Sequence, residues 1–247
     1  MNRIFLHIPH SSTVIPGSEA EKYEADVGAE LKFMTDLYTD ELFDVGEDRL
    51  IFPVSRLFCD VERFRDDRDE EMAKVGMGAV YAGTHDLKRL RTVTAEEREA
   101  ILKKWYDPHH LRLEAMTEER LRVFGKCLIV DCHSFSGRPL PYEPNKDRER
   151  PDVCIGTDPF HTPPELAGRL FDEFRVAGFR TEFDRPYSGC MIPIKRYRRD
   201  ANVHGVMIEI NRDLYLDGDF CKRKNFGAIR KEIKRIFGAV FGPDGPV

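Results

Sequence analysis

The four residues Cys127, Leu128, Ile129 and Val130 are wholly apolar, and Asp131-Cys132-His133-Ser134 follows them without a break. A short apolar run with no helical period reads as a strand buried on both faces, the kind found in parallel sheets. Parallel strands need crossover connections, commonly helices, so such a strand asks the rest of the chain to alternate strand and helix.

The chain meets that demand. RIFLHI (3–8) reads as a first buried strand. Val27, Leu31, Met34, Leu37, Tyr38 and Leu42 recur at helical spacing between positions 26 and 45. RLIFPVS (49–55) is a second strand, edged by Pro53. A long helix is expected over 94–125, opened by a capping box of Thr94 and Glu97 and kinked or divided at Pro108. PDVCIGTD (151–158) is another strand. A helix follows that begins with prolines and ends at Gly178. GVMIEIN (205–211) is the last strand, and an amphipathic helix over about 222–241 closes the chain. The expectation is one domain over 1–247, an α/β fold with a mostly parallel sheet covered on both faces.

Composition narrows the function classes. The chain has 247 residues, 34% of them charged, with a net charge of −5. That balance suits a soluble globular protein and argues against a dedicated nucleic-acid binder, which carries a basic excess. No apolar run approaches the roughly 20 residues that cross a bilayer. The start, MNRIFLHIPH, enters a strand at once with no secretory signal, so a cytoplasmic location is expected. The six cysteines contain no C-x-x-C pair, and several sit in apolar runs where a free thiol behaves as a small buried hydrophobe.

In open α/β sheets, ligands bind beyond the carboxyl ends of the strands. Here those ends carry His10-Ser11-Ser12, Asp131-Cys132-His133-Ser134, Thr157-Asp158 and Glu209-Ile210-Asn211-Arg212. All four are expected on one rim. His10 and His133 suit a divalent metal, with Asp131 as a supporting carboxylate. His7 and His10 lie three apart on an extended strand and should point to opposite faces unless Pro9 breaks the strand between them, so His7 reads as structural. A catalytic metal needs a third ligand, and Asp36 and Asp40 offer one from the following helix. Glu209 lies inside an apolar strand, where a carboxylate is costly unless paired or used, and it suits a general base. Arg63 and Arg212 are candidates for holding a substrate carboxylate in a bidentate fork. His109 and His110, just after Pro108, point either into the site or to the surface. The charged stretch 62–74 reads as a solvated loop.

Seven segments together resemble the N-formylglutamate amidohydrolase family. They are I-P-H-S-S (8–12), D-L-Y-T-D-E-L (36–42), S-R-L-F-C-D-V-E-R-F (55–64), D-C-H-S-F (131–135), P-D-V-C-I-G-T-D (151–158), P-Y-S-G (186–189) and I-E-I-N-R-D-L-Y (208–215). The resemblance implies a three-layer α/β/α fold similar to the zinc-dependent exopeptidases. It implies hydrolysis of N-formyl-L-glutamate to formate and glutamate, a step in histidine breakdown. It implies Zn²⁺, or another divalent metal, at His10, His133 and an acidic ligand from 36–42, for which Asp36 is chosen. It implies Glu209 as the base or acid. Ser134, Asn211 and Tyr187, in the same segments, join Arg63 and Arg212 as candidate substrate contacts, and the expected partner is a small N-acyl amino acid. Ser12, and Ser188 after Tyr187, stand where family members often have glycine.

Three other readings follow from the same residues. One is a deacylase or peptidase of this fold with a different acyl group. Another is a binding protein that keeps the fold. A serine hydrolase built on Ser134 or Ser11 is weakened by the lack of a G-x-S-x-G elbow.

Overall fold

The apolar strand runs pair as the alternation requires. The structure, a computed structural model, describes residues 2–242. Six strands form one sheet: β1 (Ile4–Ile8), β2 (Arg49–Ile51), β3 (Cys127–Phe135), β4 (Val153–Gly156), β5 (Thr181–Phe183) and β6 (Val203–Asn211). Their order is β2-β1-β3-β6-β4-β5. β2, β1, β3 and β6 are mutually parallel. β4 runs antiparallel to β6, and β5 is parallel to β4.

That reversal corrects one expectation. Because β4 enters against its neighbour, its carboxyl end lies at the opposite rim from those of β1, β3 and β6. Thr157 and Asp158 are therefore away from the other three strand ends. Asp158 instead caps a local turn, accepting from the backbone N–H groups of Phe160 and His161 and from the Tyr197 hydroxyl.

Helices cover both faces, giving three layers. α2 (Thr39–Leu42), α5 (Pro164–Val176) and α6 (Phe226–Phe241) lie on one side with Leu6, Leu128, Val130, Cys132, Val206, Ile208 and Ile210. α4 (Asp107–Phe124) packs on the other through Leu113 and Met116, which meet Phe5, Cys127 and Ile129. Ile233 of α6 is wholly buried among the first set. Ile233→Ala is expected to cost about 2–5 kcal/mol, read from denaturant unfolding, because the cavity cannot fully collapse.

Two local differences from expectation and one agreement bear on the site. The helical spacing over 26–45 is broken: α1 (Val27–Met34) stops at Thr35, and α2 restarts after Tyr38, which adopts a left-handed backbone. The break frees Asp36, whose backbone N–H donates to the His10 carbonyl. The long helix is divided, as Pro108 foretold. α3 (Ala95–Ile101) opens with the Thr94–Glu97 capping box, a π-helical turn spans Leu102–Tyr106, and Pro108 sits in the first turn of α4. The stretch 62–74 is not wholly solvated: Glu70 is buried, and Glu62 is turned inward. Cys59, Cys127, Cys132 and Cys154 are free and buried. Among the described residues, no helix is long and apolar enough to cross a membrane.

Candidate metal centre and active site

Strand parity decides which side chains meet. On β1, Ile4, Leu6 and Ile8 face the α5–α6 layer, which leaves His7 on the other face. On β3, Leu128, Val130 and Cys132 face that same layer, leaving Asp131 and His133 opposite. On β6, Val206, Ile208 and Ile210 do likewise, so Glu209 turns to the same side as His133, its direct partner in register. One face of the sheet near the carboxyl rim thus carries His7, Asp131, His133 and Glu209. The loop after β1 adds His10, the break between α1 and α2 adds Asp36, and the loop after β2 adds Asp60, Glu62 and Arg63.

His10 is held by Asp60. Its Nε2 lies 2.8 Å from Asp60 Oδ1, and Asp60 also accepts from Arg56, the Tyr81 hydroxyl and the Glu62 backbone N–H. Asp60 is fully buried. Burial opposes its charge, but Arg56 and His10 outweigh that and keep its carboxyl well below the usual carboxylate range. With Nε2–H donated to a carboxylate, His10 Nδ1 is left with a lone pair. This atom is buried and has no hydrogen-bond partner among the described residues.

His133 lies between two sets of oxygens. Its Nδ1 is 3.1 Å from Asp36 Oδ2, and its Nε2 is 3.2 Å from Glu62 Oε1 and 3.1 Å from Asp131 Oδ1. Burial opposes a charge on His133, but Glu62 and Asp131 push its pKa well above the ordinary value. Without a metal, the proton on this imidazole supplies the positive charge that the surrounding carboxylates require.

The donor atoms of His10, Glu62 and His133 lie within 4.8 Å of one another. Two imidazoles and one carboxylate match the donor set of a catalytic zinc site. The unpartnered Nδ1 of His10 and the carboxylate excess around His133 both fit a cation there. Asp36, the ligand expected from sequence, is otherwise engaged: Oδ1 accepts from Arg212, and Oδ2 from His133 and the Ser134 backbone N–H. Its position orients His133 in the manner of a supporting carboxylate. Asp40, the alternative, is in neither His-containing group at this end of the sheet. Asp60→Asn is expected to weaken metal binding about 10–100-fold, measured by competition with a chromophoric chelator, because the tautomer of His10 is no longer fixed.

These residues open onto a cavity of about 180 Å³, which also touches Arg56, Arg63, Ser134, Tyr142, Tyr187, Glu209 and Arg212. A larger hollow, about 400 Å³, lies by Phe58 and Trp105, away from the histidines. Glu209 stands in the smaller cavity almost alone. Its Oε2 is buried with no hydrogen-bond partner among the described residues, and burial raises its pKa to about 8. A carboxylate kept unpaired in a cleft is a general acid–base candidate.

The two expected arginines part company. Every nitrogen of Arg212 is spent on protein: Nε donates to the Ser134 hydroxyl, Nη1 to the Phe33 carbonyl, and Nη2 to Asp36 and the Ser134 carbonyl. Arg63 has a buried, unpartnered Nε and lies 3.7 Å from Asp60. Asn211 is not in the cavity. Its amide donates to the Pro151 carbonyl and accepts from the Asp213 N–H, so it caps the turn after β6. Tyr142 and Glu143 come from the loop after β3, pinned by a buried Glu143–Arg150 ion pair.

His7 is more than filler. Its Nδ1 is 2.8 Å from Asp131 and 3.6 Å from Glu62, while its Nε2 is 2.9 Å from His109 Nε2. Burial holds the pKa of His109 down at about 2, so this ring is neutral. His110 turns away to the Val61 carbonyl.

Comparison with known proteins gives the family and the fold. The family model described as N-formylglutamate amidohydrolase matches residues 2–216. A crystal structure of N-formylglutamate amidohydrolase from Ralstonia eutropha JMP134 superposes with a TM-score of 0.82 at 20% identity, covering 95% of this chain and 91% of that one. A gene product of Agrobacterium tumefaciens superposes with a TM-score of 0.69 at 18% identity, covering 96% of this chain and 89% of that one. At those identities the two structures establish the fold alone. No curated protein sequence matches the chain. The family match extends over both histidine segments, the 55–64 segment that carries Asp60, Glu62 and Arg63, and the strand that carries Glu209, and the chain belongs to the N-formylglutamate amidohydrolase family.

Proposed function

We propose that this protein is a metal-dependent amidohydrolase acting on an N-acyl amino acid, with N-formyl-L-glutamate as the first candidate substrate. The observation that carries the reading is the convergence of His10, Glu62 and His133 at the cavity that holds the unpaired Glu209. His10, Glu62 and His133 would hold a divalent ion, Zn²⁺ by its donor set. Such an ion supplies Lewis acidity to a scissile carbonyl and lowers the pKa of water.

The chain's own residues supply the rest. Asp60 and Asp36 fix the two imidazole rings. Glu209 removes a proton from the attacking water and delivers it to the leaving amine. Arg63, with its free Nε, binds the substrate carboxylate and fixes the acyl group over the metal ligands. Arg212 acts through Asp36 and Ser134 and is a positioning residue. Tyr187 and Ser134 line the cavity, whose small volume suits an amino-acid-sized ligand better than a peptide. The chemistry needs neither nucleic acid nor membrane, and a cytoplasmic place in histidine breakdown is the expected setting.

Exhaustive chelation should abolish formate release from N-formyl-L-glutamate, and Zn²⁺ should restore it. Full activity after chelation would overturn the reading. A panel of N-acyl amino acids then fixes the substrate, and preference for a larger acyl group would favour a deacylase of the same fold.

A further inference from the structure

The carboxylate of Glu62 faces two histidines with its two different oxygens. Oε2 is 3.8 Å from His10 Nδ1, and Oε1 is 3.6 Å from His7 Nδ1. Around Oε1 stand Asp131 Oδ1, 2.8 Å from His7 Nδ1, and His133 Nε2, 3.2 Å from Oε1. His7, Glu62 and Asp131 form a second group whose donor atoms lie within 4.8 Å of one another. It shares Glu62 with the first group and nothing else.

We infer that His7, Asp131 and Glu62 form a second divalent-cation site beside the His10–Glu62–His133 site, with the Glu62 carboxylate bridging the two ions. The inference rests on the metal-dependent reading above and extends it from one ion to two. Three observations support it. First, Glu62 turns Oε2 toward His10 of the first group and Oε1 toward His7 of the second, as a bridging carboxylate requires. Second, the charges call for it. Asp36 faces Arg212, and Asp60 faces Arg56. Glu62 and Asp131, among the described residues, have only imidazoles within ion-pair distance. A single divalent ion at the first site leaves the buried Asp131 carboxylate balanced by imidazole alone, which is costly away from water. Third, the outer contacts of His7 and Asp131 are already made. His7 Nε2 can donate to His109 Nε2, 2.9 Å away, which leaves the lone pair on Nδ1 aimed between Asp131 and Glu62. The other oxygen of Asp131 accepts from the Met191 backbone N–H at 2.8 Å. This is the arrangement that orients metal ligands from behind.

Hydrolytic two-metal sites of this kind hold their ions about 3.5–4 Å apart. The test uses the full chain, stripped with chelator, reloaded with Zn²⁺ or Co²⁺ and desalted. Elemental analysis counts the ions, and electron paramagnetic resonance of the Co²⁺ form reads their coupling. The expected result is about two equivalents with an exchange-coupled Co²⁺ spectrum, falling to about one uncoupled equivalent in His7→Asn. About one uncoupled equivalent in the parent at saturation overturns the second site and leaves the single-metal reading standing. No bound metal overturns both readings. A coupled pair retained in His7→Asn overturns the assignment of His7. If that variant does not fold, the parent's stoichiometry and coupling decide the question unaided.

Discussion

Glu209→Gln is expected to lower turnover by about two to four orders of magnitude while the protein keeps its metal. Glutamine preserves the size of the side chain and its place beside His133 on β6, but it cannot accept the water's proton. The expected signature is a fall in kcat with little change in metal content, read from formate release and elemental analysis. Near-normal kcat in metal-replete protein would remove Glu209 from the reaction. The same variant makes a second, independent measurement possible. In metal-free protein, burial holds the Glu209 proton up to about pH 8, whereas an unfolded chain releases it near 4.5. Between those values the folded state binds more protons than the unfolded state, so this group makes stability fall as pH rises. Glu209→Gln removes that contribution. The melting temperature of the metal-free variant should therefore decline less from pH 4.5 to 8 than that of the parent.

His133→Ala is expected to remove the metal outright and, with it, on the order of 10⁴-fold or more of turnover. His133 is the junction of the site. Among the described residues it is the only one whose two ring nitrogens approach both Asp36 and the Glu62–Asp131 pair. Its loss also exposes a structural debt. Asp36, Glu62 and Asp131 would remain buried or half-buried with one fewer cation among them, and their repulsion should lower the melting temperature at neutral pH. A variant that folds, binds metal as the parent does and turns over normally would show that the ion sits elsewhere. Zinc content, melting temperature and formate release separate those outcomes on one preparation.

Much of the site was legible because strand chemistry is local. An apolar run that ends in a polar residue marks a strand entering a rim, and that logic selected His10, His133 and Glu209, which line one cavity. Glu62 and Asp60 were missed as working residues because they lie in a loop crowded with charges, where composition looks like solvated surface. The signal that could have found them is the D-V-E-R spacing itself: an Asp whose side chain accepts from the N–H two residues on makes a tight turn that brings Asp60 and Glu62 together. The choice between Asp36 and Asp40 as the acidic ligand could not see that a guanidinium from beyond β6 would pair with Asp36. Arg63 and Arg212 were indistinguishable in sequence. Only the folded contacts show that one is spent on the protein and the other retains a free donor. His7 and His10 were expected on opposite faces, but β1 ends at Ile8, and beyond Pro9 the chain turns His10 to the same side, so both imidazoles reach Glu62.

The sequence by itself determined the alternating strands and helices, the buried parallel strand at the centre, the capping box at Thr94 and the family. Each depends on residues close in the chain, or on motifs read in order, and neither requires knowing which strands are neighbours. The tertiary structure decided the strand order, the reversal of β4 that sends Asp158 to the far rim, and the grouping of His10, Glu62 and His133. Those depend on pairings between segments up to about 100 residues or more apart, such as His133 with Asp36 and Glu62. In a buried site the partner of each charge is a matter of distance, and distance between remote segments exists only once the sheet has closed its register.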